Sequence, residues 1–126
     1  MKGRVIYPGE AEGKALVSKS PVGFYGGIDA KTGMVIEKGH ELEGKCVKDS
    51  VLVFPNGKGS TVGSYVIYGL KKNGVAPKAI INKETETIVA TGVILAGIPC
   101  VDKIDTDVIT SGDSIKIRND GSVEIV

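Results

Sequence analysis

The residues of this chain best suited to chemistry lie in one stretch, Phe54-Pro55-Asn56-Gly57-Lys58-Gly59-Ser60-Thr61-Val62-Gly63-Ser64. A glycine loop here joins an apolar strand pattern, Ser50 to Phe54, to a helical one. Such a junction aims backbone N–H groups and the positive end of a helix dipole at one point, a seat for a carboxylate or phosphate. It is not a Walker A loop, because Leu52 stands where the first glycine would fall and Gly59 follows Lys58. It also lacks the third glycine of a dinucleotide fingerprint, Gly63 coming one residue too late after Gly59. Ser60 has two readings at this point. Ser60 or Thr61 suits a helix N-cap. A serine oxygen among amide donors and near Lys58 also suits an alkoxide that accepts a proton. No Gly-x-Ser-x-Gly motif and no neighbouring His or Asp make Ser60 a hydrolase nucleophile, so a serine base needs groups from another chain.

Other functional classes are poorly supplied. His40 is the single histidine and Cys46 and Cys100 are the two cysteines, far apart in sequence. A tetrahedral zinc or iron–sulfur site needs about four such ligands, so no metal is expected on this chain alone. His40, between Gly39 and Glu41, reads as a turn residue, and Asp102, Asp105, Asp107 and Asp113 miss the calcium-loop spacing. Sixteen Lys and Arg against 15 Asp and Glu leave a net charge of +1, too little for a sequence-independent nucleic-acid binder. The longest apolar stretch, Ile88 to Ile98, is broken by Thr91, Gly92 and Gly97 and falls short of the ~20 residues a bilayer needs. The start, Met1-Lys2-Gly3-Arg4, runs into Val5-Ile6-Tyr7 without a signal-peptide core. The expectation is a cytoplasmic protein with reduced thiols, bound to neither membrane nor nucleic acid.

The elements that must position the loop follow from pattern. The 126 residues, 41% apolar and 25% charged, fit one domain spanning 1–126. Eighteen glycines, no Trp and few aromatics predict many turns around an aliphatic core. Arg4–Tyr7 and Lys14–Val17 read as short strands, and Ser50–Phe54 as a strand buried on both faces. From Thr61 to Asn73, Val62, Val66 and Leu70 recur at helical spacing, with Lys71 and Lys72 in the last turn and Gly74 at C′. Ala79–Ile81 and Ile98–Val101 read as further strands and Glu84–Ala96 as a short helix. Ser114–Arg118 and Ser122–Ile125 alternate around Asn119-Asp120-Gly121, a hairpin signal. The sum is an α/β (α+β) domain layered β/β/α.

Four motifs, in order over residues 9–101, carry a family resemblance. They are Gly9 to Ser18 (Gly-Glu-Ala-Glu-Gly-Lys-Ala-Leu-Val-Ser), Phe24-Tyr25-Gly26-Gly27-Ile28-Asp29, the Phe54–Ser64 loop, and Gly74 to Asn82. The chain resembles the small, swivel subunits of the aconitase X family. That resemblance implies a swivelling β/β/α three-layer domain, with a mostly parallel inner sheet and an antiparallel outer sheet. It implies a large-subunit partner that holds the iron–sulfur cluster, a [4Fe-4S] cluster, so that this chain need not bind metal. It implies a hydro-lyase, and for the family's archaeal members the dehydration of (R)-5-phosphomevalonate to trans-anhydromevalonate 5-phosphate in isoprenoid biosynthesis.

In the wider aconitase superfamily the serine of Gly-x-Gly-Ser takes the proton beside the substrate carboxylate, which the resemblance carries to Ser60. Aconitases proper continue Ser-Ser-Arg-Glu, where this chain has Ser60-Thr61-Val62-Gly63. The arginine for a second carboxylate has no counterpart, and a substrate with one carboxylate fits that loss. Lys58, Gly59, Thr61 and Asp29 are the expected substrate-binding residues: Lys58 for an anionic group, the amides of Gly59 to Thr61 for developing charge, Asp29 from the Gly-Gly-Ile-Asp loop. Lys58 as a solvated lysine and Asp29 as a turn cap are the plainer alternatives. Two other functions stay open: a hydroxyproline dehydratase of the same superfamily, and a non-catalytic module that binds a phosphorylated ligand.

Overall fold

Short apolar runs must pair to hide their backbone polar groups, and the computed structural model, which describes residues 1–126, pairs them into one curled sheet. In chain order the elements are β1 (Arg4–Tyr7), β2 (Ala11–Val17), β3 (Val22–Gly23), β4 (Val51–Phe54), β5 (Gly57–Lys58), α1 (Gly63–Lys72), β6 (Ala79–Asn82), α2 (Thr87–Ala96), β7 (Cys100–Asp102), β8 (Ser114–Ile117) and β9 (Val123–Ile125). A 3-10 turn covers Thr106–Val108. Seven strands order as β1-β7-β6-β4-β2-β8-β9, and β3 with β5 forms a separate pair. Strands β2, β4, β6 and β7 run parallel, whereas β1, β8 and β9 are antiparallel to their neighbours. Strand β2 bridges the two regions: its Ala11–Lys14 half pairs with β8 and its Ala15–Val17 half with β4.

All four residues of β4 are buried, as its unbroken apolar run predicts. Successive side chains point to opposite faces, so Leu52 and Phe54 enter one core and Val51 and Val53 the other. The first core packs Ile67 and Leu70 of α1 and Val89 and Val93 of α2. The second packs Ile115 and Ile117 of β8, Val123 of β9 and Ile104 and Ile109 of the connecting loop. This mixed sheet with two helices agrees with the expected class.

Several boundaries differ from the expected ones. Helix α1 starts at Gly63, not Thr61, and its N-cap is Val62 with no side-chain cap bond, so neither Ser60 nor Thr61 caps it. Tight i→i+3 bonds replace the cap: Gly63 N–H donates to Ser60 C=O at 2.9 Å, and Ser64 N–H to Thr61 C=O at 3.2 Å. The buried stripe of α1 is Gly63, Ser64, Ile67 and Leu70. Val62 and Tyr65 face solvent, because small residues at 63 and 64 let that side pack closest to α2. Gly74 sits at φ +73°, as its place after the helix predicts. Strand β7 begins at Cys100, since Pro99 has no N–H to give the ladder.

Two contacts lock the edge of the sheet from which the glycine loop leaves. Glu86 caps α2, its carboxylate accepting from Ile88 N–H at 2.8 Å and Val89 N–H at 3.0 Å. Gly57 lies against that cap: a Cβ there would come 2.3 Å from Glu86 Oε1 and 2.7 Å from Val89 Cγ2. Further along the edge, the buried Asp102 carboxylate accepts from Arg4 Nη2 at 2.7 Å, Arg4 Nε at 3.0 Å and Thr85 N–H at 2.9 Å. Burial pushes this carboxyl up, but the Arg4 bonds and the Thr85 amide outweigh it and hold it below its ordinary value of 3.8.

Two outcomes are expected. Gly57→Ala must displace either the α2 cap or Val89, and should cost about 2 kcal/mol of stability in denaturant melts. The lowered Asp102 pKa makes its contribution present above the ordinary carboxylate range and lost as pH falls through and below it. Arg4→Ala leaves burial to dominate, so its thermal midpoint should trail wild type most at neutral pH. Melting both proteins across a pH series should show that gap narrow as Asp102 is protonated.

Candidate functional site

Strand β4 ends at Phe54 and delivers the chain to Pro55 and Asn56, whose side-chain amide donates to Gly57 C=O at 2.8 Å. Gly57 and Lys58 then pair with Val22 and Gly23, the short β3–β5 ladder. This pairing sets the Phe24–Asp29 motif beside the Ser60 loop. The ring of Phe24 meets that of Phe54 edge-on, centroids 5.9 Å apart, and buries the junction. Gly63 completes it, since a Cβ there would lie 3.1 Å from Ile88 Cγ2 and 3.5 Å from Phe24 Cβ.

Between these fixed points the loop is open. Gly59 adopts φ +88° with nothing near its missing Cβ, a left-handed turn that glycine adopts without strain. The N–H groups of Gly59, Ser60 and Thr61 donate to no acceptor within the chain. All three residues are exposed, so the amides are paid for by solvent until another acceptor arrives. Ser60 Oγ accepts from Val62 N–H at 3.2 Å, an i→i+2 bond that leaves its hydroxyl proton free to be lost. Three consecutive amides without an acceptor in the chain, just before a helix, are donors free to meet a charged oxygen.

Thr61 and Val62 also line a cleft of about 250 Å3 between α1 and α2, with Tyr65, Thr87, Thr91 and Leu95 on its other walls. Its apolar rim is unusually bare: Tyr65 is 69% exposed and Leu95 50%. Beside the loop, Ser64 donates from Oγ to Ile88 C=O at 2.9 Å, tying the helix start to α2.

The remaining expected residues divide. Lys58 adjoins the open amides, but its ammonium is held by Glu37 Oε2 at 2.9 Å, a partner that sequence pattern did not supply. Glu37 lies 21 residues away, so no local signal marks it. Asp29 uses Oδ1 to accept from Lys31 N–H at 2.9 Å, the turn-cap arrangement, and makes no hydrogen bond to residues 57–61. His40 is a turn residue as expected: Nδ1 accepts from Leu42 N–H at 3.0 Å, which leaves Nε2 to donate to Pro21 C=O at 3.0 Å. Cys46 and Cys100 are free thiols. Burial pushes the Cys100 thiol up to about 12, so it is no thiolate, and no three His, Cys, Asp or Glu gather to hold a metal ion. An iron–sulfur cluster does not fit the donors of this chain. No helix is long and apolar enough to cross a membrane.

Comparison with known proteins matches this arrangement closely. Residues 1–125 match the family described as the aconitase X swivel domain. A protein of Thermococcus sibiricus named phosphomevalonate dehydratase small subunit is 58% identical, over 99% of this chain and 97% of its own. One of the same name from Methanosarcina acetivorans is 52% identical, over 100% of this chain and 90% of its own. Among solved structures, the crystal structure of Thermococcus kodakaraensis aconitase X in its holo form superposes with a TM-score of 0.98 at 51% identity, covering 99% of this chain and 96% of that one. The sheet and helices that carry the glycine loop are thus those of a known fold, and the chain belongs to the aconitase X swivel-domain family.

Proposed function

We propose that this chain is the small subunit of a hydro-lyase that converts (R)-5-phosphomevalonate to trans-anhydromevalonate 5-phosphate in the cytoplasm. The observation that carries this reading is the open loop at Gly59–Thr61, three consecutive exposed amides without an acceptor in the chain, with the Ser60 hydroxyl among them and Lys58 next in sequence. Relatives more than half identical over nearly the whole chain, named phosphomevalonate dehydratase small subunits, support the substrate.

The chemistry follows from the groups present. Dehydration removes a proton from C2 and the hydroxyl from C3, leaving a C2=C3 double bond and water. Ser60 Oγ accepts the C2 proton. Its ordinary basicity as a neutral hydroxyl is far too weak, so it must act as an alkoxide, its own proton having passed to solvent at this exposed loop, with the Val62 N–H donating to the charged oxygen. As the C–H bond breaks, negative charge spreads onto the adjacent carboxylate, and the Gly59, Ser60 and Thr61 amides are free to accept it. The iron–sulfur cluster is assigned to the large subunit, where it would supply Lewis-acid chemistry toward the C3 hydroxyl. Half of the site is therefore on the partner, and this chain alone should not turn over substrate.

The test is a reconstituted pair of subunits assayed with phosphomevalonate and, separately, with hydroxyproline. Water loss from phosphomevalonate only is the expected result; loss from hydroxyproline only would move the chain to another reaction. Ser60→Ala should lower turnover by about 10³-fold or more while the subunits still co-elute. Near-normal activity in that variant would remove Ser60 as the base.

A further inference from the structure

Lys58 does not reach into solvent as a lone surface lysine. Its stem lies along Gly23, whose missing Cβ would sit 3.4 Å from Lys58 Cγ and 3.5 Å from Cε. Its ammonium ends on Glu37 Oε2 at 2.9 Å. Glu37 is itself held in place by the backbone: Ile36 N–H donates to Gly27 C=O at 2.8 Å and Glu37 N–H to the same carbonyl at 3.3 Å. Gly27 has no room for a side chain, since a Cβ would come 1.9 Å from Gly23 C=O and 3.3 Å from Glu37 Oε1. Gly23 therefore gives the lysine stem a surface to lie on, Gly27 leaves room beside the Glu37 carboxylate, and that carboxylate meets the end of the stem.

We infer that Glu37 is a positioning residue for Lys58, fixing its ammonium beside the Ser60 loop so that it meets an anionic group of the substrate. This rests on the dehydratase reading above. An ammonium has three donors, and Glu37 takes one in a single bond, which leaves two for an incoming carboxylate or phosphate oxygen. A flexible lysine loses much rotamer freedom when it binds an anion, and holding it beforehand lowers that entropic cost. The gain should appear in substrate binding, because the pairing is the same before and during proton transfer. A partly exposed ion pair contributes little to folding, so stability should hardly depend on it.

The experiment uses the reconstituted two-subunit enzyme and phosphomevalonate. Glu37→Gln should raise KM about tenfold with kcat within about twofold of wild type and an unchanged thermal midpoint. Glu37→Asp, which keeps the charge, should recover most of the lost affinity. Lys58→Ala should raise KM at least as much, and the double variant Glu37→Gln with Lys58→Ala should be no worse than Lys58→Ala alone. An unchanged or lower KM in Glu37→Gln, additive effects in the double variant, or a fall in thermal midpoint that accounts for the loss would each overturn the inference. If the wild-type pair does not dehydrate phosphomevalonate, the substrate reading falls and this one with it; if it does and Glu37→Gln matches it, only the role of Glu37 falls.

Discussion

The glycine loop depends on one close approach. Gly57 presses its Cα against the carboxylate that caps α2, leaving no space for a Cβ. That carboxylate, from Glu86, is in turn fixed by two helix amides. A loop on a protein surface is usually the most mobile part of its fold. Here the residue at its root is clamped between a buried strand and a helix N-terminus. The position of the Ser60 oxygen relative to the core is then set by packing, and the left-handed turn at Gly59 sets only its direction. On the dehydratase reading, donors held in this way need not move during reaction, the condition under which preorganised donors help.

The carboxyl edge of the parallel strands carries two polar regions of opposite character. At the β6–β7 end, Asn82, Thr85, Asp102 and Arg4 bond one another: Asn82 Nδ2 donates to Phe54 C=O at 2.9 Å and Thr85 Oγ1 to Asn82 Oδ1 at 2.8 Å. Every buried side-chain polar atom has a partner. A network satisfied in this way holds the edge together and offers nothing to a ligand. At the end of β4 the situation reverses, with three consecutive backbone donors left over. Ligands of open α/β sheets bind beyond the carboxyl ends of parallel strands, and the β4 exit has hydrogen-bonding capacity to spare there.

Much of this was legible in the sequence, and what was not has a common cause. The unbroken apolar run of β4, the Asn119–Gly121 hairpin and Gly74 after α1 were readable because each is a local pattern. Ser60 was singled out by the glycine loop, but the choice between cap and base came from the family resemblance, and the cap reading then failed. It failed because a tight backbone turn satisfied the first helix amides without any side chain. The rotation of the α1 stripe was hidden for a related reason. Gly63 and Ser64 have little apolar character, yet their small size lets α1 and α2 meet there. The Glu37–Lys58 pair and the two-residue β3–β5 ladder join segments far apart in sequence, and periodicity carries no information about such pairings.

The scarcity of metal ligands and the abundance of glycine express one division of labour. A site that binds an anion through backbone amides needs no basic excess, which fits a net charge of +1. It needs glycines where the chain must turn left-handed or pass within contact distance of a neighbour, and Gly23, Gly27, Gly57 and Gly59 do one or the other. Glycine adds no side-chain donors, so such a loop can hold charge without being able to hold a metal. On the dehydratase reading proposed above, such a loop would hold the anionic group of the substrate, and the Lewis acid for the departing hydroxyl would come from the large subunit set against the open face of the Ser60 loop.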